Sequence, residues 1–334
     1  MVRRVVLALA GLAIGLIFLW LALRGVNWAE LQAAASQVRY PWLAVAVALY
    51  LASIALRCVR WGILLRASAS VKWRHIFEVL LVGFAANYVL PGRIGELFRA
   101  EYARRLFHMS RFTSLGTIVV ERVCDGVILV LALWIGLGFV LSGFVASRPA
   151  LSWMFTVAAA SSLIFGAALL FIVFSRGIDI RRFGAPEALA VRWHHLINGI
   201  SSVAKGNTLA VIALSLGVWL LEILALGSMV RAFTEPLSPA QLMLLIALGS
   251  LSTLVPTAPG YIGTFQFVFA QVFALLGRPS SIGIVISTAM QLFCFGSVTM
   301  LGVMVLLSRG GIMMWRAFDL GGANGSVAPP DEGR

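Results

Sequence analysis

The sequence predicts an all-α polytopic membrane protein, with about six spanning helices plus two re-entrant broken helices arranged as an inverted-topology repeat. Three observations predict it. The 334 residues are 60% hydrophobic and only 12% charged, with a mean hydropathy of +0.97, where a soluble domain carries about 25% charged residues. Six apolar runs reach the roughly 20 residues that a helix needs to cross about 30 Å of hydrocarbon. Two further apolar runs are interrupted by Pro and Gly and share a short pattern at a wide spacing.

The six runs are approximately 5–24, 42–65, 113–141, 150–175, 207–231 and 280–308. The first follows Arg3 and Arg4 as a signal peptide would. Its apolar stretch exceeds the roughly 7–15 residues of a signal h-region and no convincing cleavage site follows, so it reads as a retained span. Residues 76–91 are too short to cross and end at Pro91-Gly92. Residues 237–277 carry no charge, are too long for one span, and contain Pro256 and Pro259. Both read as segments that enter, break and return to the same face. A single transmembrane domain is expected over 1–318, with halves of about 1–145 and 150–310. The tail 319–334, rich in Gly, Pro and Ser, is expected to be disordered.

The net charge of +13 falls in short loops between apolar runs, which fits an anionic cytoplasmic leaflet rather than nucleic acid. With both termini in the cytoplasm, twenty basic residues lie inside, Arg57 and Arg60 among them. Five lie outside, and Arg122 stays in the membrane, which accounts for all 26. That asymmetry obeys the positive-inside rule and places the chain in a cytoplasmic (inner) membrane. Trp20, Trp28, Trp42, Trp61, Trp73 and Trp153 fall near span ends as an aromatic belt. Cys58, Cys124 and Cys294 lie inside apolar runs and read as small buried hydrophobes.

The two breaks, "LPGRIGELF" at 90–98 and "APGYIGTFQ" at 258–266, share Pro-Gly-x-Ile-Gly in register. They hold the only Pro-Gly pairs in the chain, and 259 minus 91 gives a spacing of 168, about half its length. "SLGTIVV" from Ser114 is echoed by "SIGIVIS" from Ser281. Chance in a Gly-rich membrane protein is one account. An inverted repeat whose discontinuous helices meet near the midplane is the other. Pro91, Gly92, Gly95, Pro256, Pro259, Gly260 and Gly263 would then form the breaks. Broken backbone at membrane depth is tolerated only where protein or a wet cavity satisfies its polar groups. A helix beginning after such a break aims free N–H groups at an anion.

Charge sharpens the site. "TIVVERVCDGVILVL" puts Glu121, Arg122 and Asp125 inside the third run. Glu121 and Asp125 share a helix face, and Arg122 lies a turn from Asp125. Each charge costs about 2.5–3.5 kcal/mol on insertion scales, so the three must pair or face water. An Arg122–Asp125 pair with Glu121 bridging to Arg93 or Arg99 satisfies them. So does a direct substrate or proton role, and the two are compatible. Glu222, a lone carboxylate in "VWLLEILALG", is expected to face a cavity. Asn87, Arg93, Glu96 and Arg99 are expected at the mouth. In the second half Thr288, Ala289 and Leu292 replace the charged trio, leaving Thr264, Gln266 and backbone as its polar contribution. The arginines suit a phosphate, because the guanidinium fork binds two oxygens.

"NYVLPGRIGELFRA", "ERVCDGVILV" and "VPTAPGYIGTFQ" resemble the flippase-like transmembrane domain of the lysylphosphatidylglycerol synthase superfamily, over about 1–310. Asn87, Pro91, Gly92, Gly95, Glu96, Arg99, Arg122, Asp125, Pro259, Gly260 and Gly263 match its pattern. The resemblance implies a domain that moves or handles phospholipid or polyprenyl-linked lipids. The soluble aminoacyl-transferase domain of the full synthase has no counterpart in this sequence, so lysyl transfer is unsupported.

Catalytic motifs are thin. No P-loop pattern appears, no nucleophile–base constellation follows from spacing, and no cofactor or metal is expected. His75, His108, His194 and His195 fall in predicted loops or interfacial helices, and adjacent His194 and His195 point apart on a helix. The stretch 177–196 reads as an amphipathic cytoplasmic elbow resting on headgroups. A lipid translocator is therefore expected, with an integral membrane lipid-modifying transferase (Asp125 or Glu222 as base) or a non-catalytic partner of such an enzyme as alternatives. Lipid, membrane, and either a lipid-modifying enzyme or a second copy are the partners considered. Nucleic acid is not. Asp125, Glu121 and Glu222 are candidates for proton coupling.

Overall fold

The computed structural model describes residues 16–24, 29, 32, 36, 38–90, 94–143, 149–175, 178–184, 186–204, 207–255 and 258–308. Pro91, Gly92, Arg93 and Pro256, most of the first predicted span and the tail 319–334 lie outside the described residues. Among those described, all regular structure is helical. The helices are α1 (Tyr40–Arg66), α2 (Trp73–Val89), α3 (Gly95–Phe107), α4 (Arg111–Gly143), α5 (Pro149–Phe174), α6 (Glu187–Ile200), α7 (Thr208–Phe233), α8 (Pro239–Ser252), α9 (Thr264–Leu275), α10 (Ser280–Ala289) and α11 (Gly296–Ser308). A π-helical turn, Met290–Phe295, joins the last two into one rod.

Four stretches among the described residues are long and apolar enough to cross a membrane: Tyr40–Arg66, Ser152–Phe174, Thr208–Phe233 and Ser280–Ser308. Each coincides with a predicted span. The predicted span 113–141 lies within α4, whose 33 residues carry the charged trio in their N-terminal half. Large apolar side chains point outward on these helices, Leu163 at 75% and Leu209 at 80% exposure, as lipid-facing residues do. The chain is a multi-pass membrane protein.

The predicted short run 76–91 ends where α2 does, and a second helix, α3, folds back along it. The backbone of Gly95 lies against Gly83 and Asn87, and Arg99 lies beside Gly83, so the two helices are antiparallel. Only glycine permits that approach, because a Cβ on Gly95 would overlap the Gly83 carbonyl. The predicted long run 237–277 is likewise two helices. α8 and α9 form a hairpin in which Gly249 meets the rings of Phe265 and Phe269. Its tip is a short 3-10 turn, Pro259–Tyr261. Gly260 (φ 68°), Tyr261 (φ 62°) and Gly263 (φ 94°) all take positive φ there. That conformation is uncommon for an aromatic residue.

α1 packs closely along α7. α4 packs on α8, with Gly136 against Leu244, and α11 packs on α2, with Gly302 against Leu81 and Ala85. α6 holds the second half of the expected elbow, and of the described residues in 177–196 only Ala190 is buried. Past that stretch Ile197, Gly199 and Ile200 are buried as well, and Gly199 sits on the Thr113 carbonyl at the start of α4. α5 is peripheral, with only 17% of its most apolar window buried.

Candidate functional site

The two hairpins meet at their tips. Tyr88, in the last turn of α2, packs edge-on to Tyr261 with ring centroids 6.1 Å apart and stacks on Phe295 of the π turn at 4.7 Å. Its hydroxyl shares a 2.7 Å hydrogen bond with that of Tyr50 on α1. A π turn adds one residue to the helical repeat and rotates the faces of the helix beyond it. Here Phe295 reaches Tyr88, while the Gln291 amide donates to the Gly260 carbonyl at 2.8 Å.

Beside this aromatic junction lies a cavity of about 460 Å³. Arg57 and Glu222, from the packed α1–α7 pair, line it together with Asn87, Glu96, Arg122 and Asp125. Apolar side chains complete the lining, among them Leu245, Ile246 and Leu251 of α8, Leu254 just beyond it, Leu129 of α4 and Phe165 of α5.

The charges form one connected network. Asp125 accepts from Arg60 Nη1 at 2.6 Å, Arg57 Nη1 at 3.1 Å and Trp219 Nε1 at 3.1 Å. Glu222 accepts from Arg57 Nη2 at 2.7 Å and from the Ser53 hydroxyl at 3.3 Å. Glu121 bridges Arg60 at 3.3 Å and Arg99. Arg99 also lies over the Trp61 ring, 3.8 Å from its centroid. Arg122 is held more loosely, 3.6 Å from both Glu96 and Asp125. Four arginines thus face four carboxylates. The cluster is neutral overall, which lowers the cost of placing it among membrane helices.

Of the residues singled out from sequence, Asn87, Glu96, Arg122, Asp125 and Glu222 are brought together on the cavity. Glu121 and Arg99 stand behind them, 1% and 4% exposed, with Glu121 bridging to Arg99 as expected. Thr264 and Gln266 lie within the second hairpin instead of on the cavity wall. The Thr264 hydroxyl donates to the Tyr261 carbonyl at 3.2 Å. The Gln266 side chain accepts from the Gly263 N–H at 2.8 Å and donates to Gln291. Asn87 is 7% exposed, and its Oδ1 has no hydrogen-bond partner among the described residues.

The structure corrects the placement of two arginines and one tryptophan. Arg57 and Arg60, expected among the loop charges, lie inside α1 at 6% and 0% exposure. Without them the basic count is eighteen inside against five, still the same asymmetry. Trp61, expected in the aromatic belt, is 0% exposed and donates to Thr117 at 3.0 Å. A signal was present: Tyr50, Ser53, Arg57 and Arg60 recur every three or four residues, a polar stripe on an otherwise apolar helix.

A family profile described as "Lysylphosphatidylglycerol synthase TM region" matches residues 8–302 of the chain. No curated protein and no solved structure matches it.

Proposed function

Because the chain belongs to the lysylphosphatidylglycerol synthase transmembrane-region family, which ties it to membrane lipids, we propose that it translocates lipid. A phospholipid or polyprenyl-phosphate-linked headgroup crosses through the cavity between the two hairpins while its chains stay in the bilayer. One observation carries this reading. Arg122 lines the cavity with its charge 3.6 Å from either carboxylate partner, so a phosphate can take its guanidinium without leaving a buried carboxylate stranded. Asn87 lines the same cavity, its amide oxygen unbonded among the described residues.

An inverted repeat supports the reading. Adding 168 to Tyr40–Arg66 gives 208–234, beside Thr208–Phe233. The same shift carries Gly95–Phe107 to 263–275, beside Thr264–Leu275, and Arg111–Gly143 to 279–311, beside the rod Ser280–Ser308. Packing follows the same exchange: α11 of the second half lies on α2 of the first, and α4 of the first lies on α8 of the second. Hairpins related in this way enter the membrane from opposite faces, the first from the cytoplasm, and their meeting at Tyr88 and Tyr261 is the midplane contact such repeats use. Both termini are then cytoplasmic.

The transferase alternative needs a carboxylate free to accept a substrate proton. Asp125 and Glu222 are both tied to Arg57, which favours translocation. The decisive measurement is movement of a fluorescent phospholipid across vesicles reconstituted with the protein. The wild type is expected to exceed protein-free vesicles, and Arg122→Ala to lose at least tenfold of that excess while the melting temperature holds. A wild-type rate equal to protein-free vesicles for every headgroup tried would remove the proposal.

A further inference from the structure

Charged side chains reach the cavity from α1, α3, α4 and α7, and apolar ones from several helices, Ile54, Phe84, Leu129 and Phe269 among them. One apolar wall, made by the C-terminal end of α8, Leu254 just beyond it and Phe165 of α5, continues to the lipid-facing surface. α4 and α8 touch closely at Gly136 and Leu244, where backbone meets backbone. Further along, Gly126 of α4 and Ser250 and Leu251 of α8, with Thr253 and Leu254 just beyond it, line the cavity instead, so the two helices part. Phe165 fills that gap from outside. Its ring lies against Gly126, where any Cβ would overlap it. Beyond Phe165 the surface is bare hydrocarbon, with Ile164 63% exposed and Leu254 50% exposed.

Building on the reading of this cavity as a lipid-headgroup site, we propose that its apolar wall seats the glycerol-proximal part of an acyl chain, and that Phe165 closes this seat toward the bilayer. The occupant is a glycerophospholipid. A space of about 460 Å³ falls among small-molecule sites of roughly 300–1,000 Å³ and accepts a compact headgroup. A lipid carrying several sugars on a polyprenyl chain exceeds it. A headgroup at Arg122 places the first methylenes of its chain against Leu254 and Phe165, where no charge has to be desolvated. The chain then leaves sideways past α5. That helix is suited to yield, because it is the least buried candidate span and its main packing is against α4.

The test uses the full chain in vesicles of phosphatidylethanolamine and phosphatidylglycerol, doped with a phospholipid bearing a diazirine on an acyl carbon next to the ester. After irradiation, Phe165 and the 250–254 segment are expected to label at least threefold above Leu163, which faces lipid on the same helix. Phe165→Ala is expected to raise labelling of 250–254 at least twofold. Gly126→Ala, which displaces the ring without removing it, is expected to do the same and serves where the first variant folds poorly. Equal labelling of Leu163 and Phe165, or 250–254 labelling unchanged in both variants, overturns the seat. Stronger labelling by a polyprenyl-phosphate probe overturns the occupant. Labelling does not require transbilayer movement. A labelled wall in a protein that moves no lipid therefore keeps the seat and removes translocation, and movement past an unlabelled wall does the reverse.

Discussion

The hairpins α2–α3 and α8–α9 share an outline and are held by different chemistry. The first is pinned by an ionic contact to α4, Arg99 to Glu121, with Glu96 and Arg122 a looser pair beside it. The second is pinned by neutral amides: Gln266 to the Gly263 N–H, Gln266 to Gln291, and Gln291 to the Gly260 carbonyl. Ionic partners can be exchanged for those of a charged ligand. An amide that caps a backbone group at a strained tip has no equivalent substitute. The contrast assigns adaptability to the first hairpin and a fixed frame to the second.

The sharpest way to break this contrast is at its ionic centre. Arg60 is fully buried and serves Glu121, Asp125 and the Ser215 hydroxyl at once. Arg60→Ala leaves two buried carboxylates short of a partner, and losing one side of a buried pair costs about 3–5 kcal/mol. The expected outcome is a large fall in thermal stability in detergent, read by fluorescence-detected size exclusion. A melt unchanged from the wild type would show that the network adds no stability.

The amide side comes next. Gln291→Leu removes the donor to the Gly260 carbonyl and the acceptor for Gln266 at similar volume. Leaving buried polar groups unpaired costs about 1–3 kcal/mol. Because Gln291 does not line the cavity, the melt should fall while the affinity for a phospholipid headgroup holds. Arg122→Ala should show the opposite pattern, and the pair together separates frame from site.

How much of this was legible differs between the two sides. Long apolar runs gave four spans with ends within two or three residues of the helices, because a lipid-facing helix leaves little for tertiary context to decide. Pro91-Gly92 and Pro259-Gly260 marked both places where one helix gives way to another. The Glu121-Arg122-Asp125 trio announced a buried ionic centre. Two of its four arginines were not announced, because Arg57 and Arg60 lie toward the basic end of a span, where loop arginines also collect, and only their helical register with Tyr50 and Ser53 tells them apart. The π turn was invisible: "MQLFCF" is apolar and helix-compatible, and its extra residue is held by contacts to Tyr88 and Gly260, both distant in the chain. Gln266 looked like a ligand because a polar side chain just past a Pro-Gly break in an apolar run announces a need, and the need turned out to be a nearby N–H. Phe165 carried no signal, since one aromatic ring in an apolar span is ordinary until Gly126 is seen beneath it.

The smallest effect tests the junction where the two hairpins touch. Tyr50→Phe deletes one hydroxyl of the Tyr50–Tyr88 pair and keeps the ring that lies 5.7 Å from Phe295. Tyr88 faces the cavity, so its hydroxyl finds water and only the net value of a hydrogen bond, about 1 kcal/mol, is lost. Tyr88→Phe deletes the same bond from the other side while keeping the stack on Phe295 and the edge contact with Tyr261. The two single variants should therefore lower stability by similar amounts, and the double variant by little more than either. Tyr88→Leu should cost more than both, because aromatic contacts contribute about 0.5–1.5 kcal/mol beyond the area they bury. If Tyr88→Leu melts with Tyr88→Phe, the ring does not hold the tips together, and the hydroxyl's bond to Tyr50 on α1 is all that Tyr88 contributes.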